Sequence, residues 1–219
     1  MFGVTEEQIS EIDRLVKLNN TISDISTTTE VEIKIVAKVL VDLNLKTMIG
    51  LKSSITKQLK EIESEKLIDS RKNLKSEIDT SINAMYDNYK WVIDNLMGSC
   101  KDYYQGSDFS NTTDTPSKEM IEELLKVVKR GDLFVEISVE QKLTFNLIVQ
   151  YLIHINKNIK TTISKRLSKL EAEVKKDQRK LIRLDIEDLI NDMYSIYKLF
   201  TKEYGACCES NEFNINFTL

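Results

Sequence analysis

One histidine, three cysteines, a set of carboxylates, a repeated block of aromatic residues and a lysine-rich middle are the parts of this chain that invite chemistry. His154 is the one imidazole available as general base or metal ligand. It stands on a polar stripe where Lys46 stands earlier in the chain, with no acid or nucleophile spaced to tune it, so it reads as a surface residue. A Ser-His-Asp arrangement, a zinc site built on several histidines and a di-metal site of paired Glu-x-x-His motifs all ask for more than this inventory holds. Cys100, Cys207 and Cys208 form no CxxC pair and are expected as free thiols. Glu61, Glu63 and Glu65 interleave with Lys57, Lys60 and Lys66 at helical spacing, the pattern of an ion-paired solvated face. No glycine-rich phosphate loop is present. The expectation is a protein with no enzyme activity, no cofactor and no metal.

Binding is the chemistry that remains. Tyr86, Tyr89 and Trp91, with Tyr194 and Tyr197, are the candidate partner-binding residues, because tyrosine and tryptophan anchor protein interfaces when exposed. Self-association is the other form of assembly such aromatic ends allow. The second candidate is electrostatic. Residues 157–183 carry ten Lys or Arg against three acids, residues 49–75 seven against four, and the remainder of the chain sums to −14 within a total of −4. Lys165, Arg166, Lys169, Lys175, Lys176, Arg179, Lys180 and Arg183 are therefore the candidate anion-binding residues. The leading expectation is a non-enzymatic scaffold or adaptor that binds a protein partner through duplicated helical surfaces. The alternative is binding of nucleic acid or an anionic membrane through the basic middle.

Helices must position these groups. Of 219 residues, 41% are apolar and 30% charged, with six Gly and one Pro, a composition of long amphipathic helices with few turns. The fold class expected is all-α. Met1-Phe2-Gly3-Val4 runs straight into Glu6-Glu7 without a basic start, and the most apolar stretch, 31–51, is interrupted by Lys34, Lys38, Asp42 and Lys46. A soluble cytoplasmic protein is expected, without signal peptide or transmembrane segment.

Shifted by 108 residues, the stretch 31–92 aligns with 139–200 without a gap, and 20 of the 62 positions are identical. The match predicts a tandem duplication of one helical unit. Ile12-Asp13-Arg14-Leu15 resembles Ile121-Glu122-Glu123-Leu124 with a one-residue change of shift, and Gly98-Ser99-Cys100 resembles Gly205-Ala206-Cys207. The divisions expected are a first repeat at 1–105, a linker at 106–116, a second repeat at 117–208 and a tail at 209–219. Thr5 with Gln8, Thr29 with Glu32, and Ser138 with Gln141 read as capping boxes, and 21–28 as a connector. Pro116 reads as a first helical position behind Thr115, with Gly131 closing that helix.

Between 31 and 45 the apolar residues alternate as in a strand, but the apolar Val36 and Leu40 beside the polar Lys34, Lys38 and Asp42 favour a helix. Near 63–73 and 175–180 apolar residues thin out, without Gly or Pro to mark a turn. The preferred reading is therefore one continuous helix per copy, two such helices forming an elongated antiparallel bundle or coiled coil. Two compact three-helix bundles are the alternative.

Overall fold

The computed structural model describes residues 3–18, 20, 22–99 and 116–210, the side chains of 94–99 and 204–210 excepted. The expected linker and tail lie almost wholly outside the described residues. All regular structure among them is helical, in the order α1 (Glu6–Lys17), α2 (Ile22–Thr29), α3 (Ile33–Ser64), α4 (Ile68–Ser99), α5 (Lys118–Arg130), α6 (Phe134–Gln141), α7 (Phe145–Ala172) and α8 (Lys176–Ser210). Among the described residues no helix is long and apolar enough to cross a membrane.

Local chemistry explains most of the boundaries. Thr5 Oγ1 accepts the Gln8 N–H at 3.1 Å while Gln8 Oε1 accepts the Thr5 N–H at 3.0 Å, the capping box expected there. The other two boxes do not form. Thr29 ends α2 with its hydroxyl donating to Ile25 O at 2.7 Å, and Ser138 lies inside α6, donating to Leu143 O at 2.7 Å. The chain expected as a connector at 21–28 is largely α2. Helix α5 starts at Lys118, two residues after the expected Pro116, with Ser117 as its N-cap accepting the Met120 N–H at 3.2 Å. Gly131, at φ 85°, ends that helix in the left-handed conformation that glycine adopts without strain.

The two long tracts are not continuous. Each reverses over three residues, Glu65-Lys66-Leu67 and Glu173-Val174-Lys175, giving the hairpins α3/α4 and α7/α8. No glycine is needed because a carboxylate caps each turn: Glu65 Oε1 accepts the Leu67 N–H at 2.8 Å and Glu173 Oε1 the Lys175 N–H at 2.9 Å. Nor are there two separate three-helix bundles. Helix α3 packs against α4 and α8, and α7 against α8 and α4, so the four long helices form one up-down-up-down bundle around a shared core. Both turns lie at the same end, where Arg179 of α8 reaches Glu63 at the end of α3.

The short helices close the other end unequally. Helices α5 and α6 add Leu124, Val127, Val128, Phe134 and Ile137 to the shared core. Helices α1 and α2 instead rest on the start of α3 in a smaller cluster of Ile12, Leu15, Ile25, Val31, Val36, Val39 and Leu40, which Ile22 and Trp91 join to the main one.

Positions that play the same part in the two halves stand 108 residues apart around the turns but 112 apart earlier. Thr5 and Ser117 cap the first helices, buried Ile12 and Leu15 correspond to Leu124 and Val127, and the two left-handed non-glycine residues among those described are Glu30 and Lys142. The difference is one helical turn: α3 has 32 residues and α7 has 28. The ungapped alignment is therefore out of register at its start. Val31 is 6% exposed, whereas Val139, aligned with it by the shift of 108, is 76% exposed on α6.

A polar residue lies deep in the bundle interior. Asn156 of α7 is fully buried, and Met48 is the buried residue at the same distance before the other turn. The Tyr89 hydroxyl lies beside the Asn156 amide, but the alignment leaves Tyr89 Oη and both amide atoms without a bond of good geometry. Burial, reinforced by neighbouring Tyr86 and opposed by Asn156, holds the Tyr89 hydroxyl neutral far above the usual tyrosine pKa. Asn156→Leu removes two unsatisfied groups and keeps the four-atom outline branched at Cγ. It is expected to raise the unfolding free energy by about 1–2 kcal/mol, read as a higher urea midpoint with the slope unchanged.

Candidate functional site

At the turn end, the residues that thin the apolar pattern are used to stop and reverse the chain. The same four residue types recur in both turns: Glu65, Asp69, Arg71 and Lys72, then Glu173, Asp177, Arg179 and Lys180. Both arginines are buried, at 3% and 5% exposure. Arg71 Nη1 donates to Glu65 O at 3.3 Å. Arg179 does more: Nη1 donates to Glu173 O at 3.1 Å and Val174 O at 2.7 Å, and Nε to Glu63 O at 2.8 Å. Next to it Arg183 forms ion pairs with Glu63 and, at 2.7 Å, with Glu187. Burial works against its charge, but the two carboxylates outweigh it and hold the guanidinium pKa above its usual value.

Three of the eight expected anion-binding residues thus have partners within the protein. Arg179 and Arg183 are structural, and Arg166 is paired with Asp185 across the α7/α8 hairpin. They depart from the expectation because a guanidinium presents several donors in a fixed fork that suits buried carbonyls and carboxylates. The five lysines, Lys165, Lys169, Lys175, Lys176 and Lys180, are exposed. With Lys60, Lys66 and Lys72 they crown the turn end.

The carboxylates there are spent differently. Glu63, Glu65, Glu171 and Glu173 are partly buried, and they serve Arg183, the Leu67 N–H, Lys75 and the Lys175 N–H in turn. What faces water at this end keeps the net positive charge of the amino-acid count, because Arg71, Arg179, Arg183 and Lys75 are withdrawn along with the four carboxylates. Leu67, Ile68 and Val174 stand among these lysines at 67%, 53% and 79% exposure. Sequence reasoning passed over all three; the available signal was an apolar residue inside each turn that has no helical partner to cover it.

The expected partner-binding aromatics divide between core and surface. Tyr89 and Tyr197 are completely buried, so neither can anchor a partner. Their identity in the two halves reflects packing: Tyr89 meets Phe200 edge to face at 5.5 Å, and Phe200 meets Phe134 at 5.3 Å. Trp91 is half-buried and bridges the two apolar clusters. Tyr86 and Tyr194 are half-buried at the flanks, and burial raises both hydroxyl pKa values, with Asp87 adding to the effect at Tyr86. Lys160 Nζ lies 4.5 Å from the Tyr86 ring centre and Lys52 Nζ 4.6 Å from that of Tyr194. Each pair joins the two hairpins, and the residues of one stand 108 positions from those of the other.

His154 Nε2 lies 2.7 Å from the Asn158 amide, one turn away on the same helix. Among the described residues no group of three His, Cys, Asp or Glu is placed to hold a metal ion. The chain matches no known protein family, curated protein or solved structure with which it was compared.

Proposed function

We propose that this chain is a non-enzymatic helical scaffold or adaptor, a duplicated unit that offers two equivalent surfaces, on opposite flanks of the bundle, to two copies of one kind of protein partner. The observation that carries the reading is the pair of cation–π clusters, Lys160 on Tyr86 and Lys52 on Tyr194, which are identical in residue type. Each combines a partly exposed aromatic face with a fixed cation, a combination suited to anchoring an interface. The recurrence of capping residues, turns and buried arginines in the two halves supports descent from one unit. The core is filled by aliphatic and aromatic side chains, which supports a binding role over a catalytic one.

Two equivalent surfaces imply two copies of the partner per chain. With a partner isolated by photo-crosslinking at positions 86 and 194, titration calorimetry is expected to give two sites. Tyr86→Ala and Tyr194→Ala should each remove one site, and the double variant both, while circular dichroism remains helical. A single site, or binding that survives the double substitution, would refute the reading.

A further inference from the structure

We propose that the turn end of the bundle docks on an anionic phospholipid bilayer, with Leu67, Ile68 and Val174 entering the interface and the surrounding lysines meeting the headgroups. This goes beyond the flank surfaces and uses none of their residues.

Three observations lead there. First, both three-residue turns lie at one end and each contributes exposed apolar surface beside a lysine: Lys66 with Leu67, and Val174 with Lys175. Two turns held together by Arg179 make a rigid tip in place of two separate loops. Second, exposed Lys60, Lys66, Lys72, Lys169, Lys175, Lys176 and Lys180 surround that tip. The exposed acids there are Glu61, Asp69 and Asp177, the other carboxylates being drawn inward by arginine, Lys75 and the turn amides. Third, the charge is polarised along the bundle. By level along the two hairpins, residues 49–83 and 157–191 make the half nearest the turns and carry +1 and +4, and the other described residues sum to −6. An anionic surface would attract this end and repel the opposite one.

Apolar contact and positive charge together select a lipid surface. A nucleic acid would use the lysines but leave three apolar side chains without a role, and no aromatic residue stands in the turns to stack on bases. A bilayer interface accepts both, the apolar groups at the acyl boundary and the lysines among the phosphates.

The test is co-sedimentation of the full chain with vesicles of phosphatidylcholine, with and without phosphatidylserine, at low and high salt. Salt-sensitive binding is expected only where phosphatidylserine is present. The triple variant Lys66→Gln/Lys175→Gln/Lys176→Gln should weaken it by about 100-fold. Leu67→Ser/Val174→Ser should weaken it by at least about 10-fold. Both variants alter exposed side chains and should melt with the parent, and Tyr86→Ala/Tyr194→Ala should bind vesicles normally. Equal pelleting with and without phosphatidylserine, or binding that either tip variant leaves unchanged, overturns the proposal. So does a lipid-free dimer abolished by Leu67→Ser/Val174→Ser, which would make a second copy the occupant. Binding of duplex DNA or RNA without vesicle binding would overturn it in favour of nucleic acid.

Discussion

Replacing Arg179 by alanine is expected to lower the unfolding free energy by about 3 kcal/mol, and replacing Arg71 by alanine by about 1 kcal/mol. The two side chains occupy the same place in their turns and are almost equally buried. They differ in what they satisfy. Arg71 makes one long bond to Glu65 O, and its Nε has no partner. Arg179 satisfies carbonyls of Glu173 and Val174 in its own turn and of Glu63 in the other hairpin. Alanine would strand all three and release the tie between the turns, and lysine, with a single ammonium, cannot reproduce the fork. Urea unfolding of the four proteins, parent, Arg71→Ala, Arg179→Ala and Arg179→Lys, measures this directly. Equal losses for the two alanine variants would sink the claim that Arg179 couples the hairpins.

At the opposite end, Phe200→Ala should cost about 4 kcal/mol. Its ring is fully buried and stands edge to face against Tyr89 of α4 and Phe134 of α6, and Phe134 continues the chain of rings to Phe145 of α7 at 4.8 Å. Few atoms elsewhere join so many helices, so the space left by the ring cannot close without moving several of them. The corresponding residue of the first half is Val92, also buried. Phe200→Val should therefore lose less than alanine and still loosen α6, seen as a weaker near-ultraviolet dichroism signal. A loss for Phe200→Ala below about 2 kcal/mol would show that the site collapses onto the gap.

Helix class was legible because periodicity and capping are properties of neighbouring residues. Val36 and Leu40 resolved the alternation at the start of α3, and Thr5, Gln8 and Gly131 act at the ends assigned to them. The reversals were not legible because Glu65 and Glu173 replace glycine by capping the turn from the side chain, and a carboxylate in a charged stretch looks like any other. The recurring Glu-x-x-x-Asp-x-Arg-Lys was visible, but that its arginines are interior follows only once the backbone doubles back over them. The same limit misplaced Tyr89 and Tyr197. Identity between the halves says that a residue is needed twice, and whether it is needed inside or outside depends on which helices come together. Glu203 was missed for the same reason: its carboxylate accepts the Phe134 N–H at the start of α6 from 69 residues away.

The four residues by which α3 exceeds α7 carry a rule about permitted lengths. Four residues advance an α-helix by about 6 Å and rotate it about 40° beyond a full revolution. The two long helices can therefore differ by this amount and still turn nearly the same side inward, at the buried positions near their starts and at those near their turns. A difference of one residue would rotate everything beyond it by about 100°, and a difference of two by about 200°, carrying apolar side chains into water. Length in this bundle behaves as a phase variable. The short helices α1 and α2 sit about one step further from the turns than α5 and α6, which is how two halves with similar residues come to seal the bundle in one case and to rest beside it in the other.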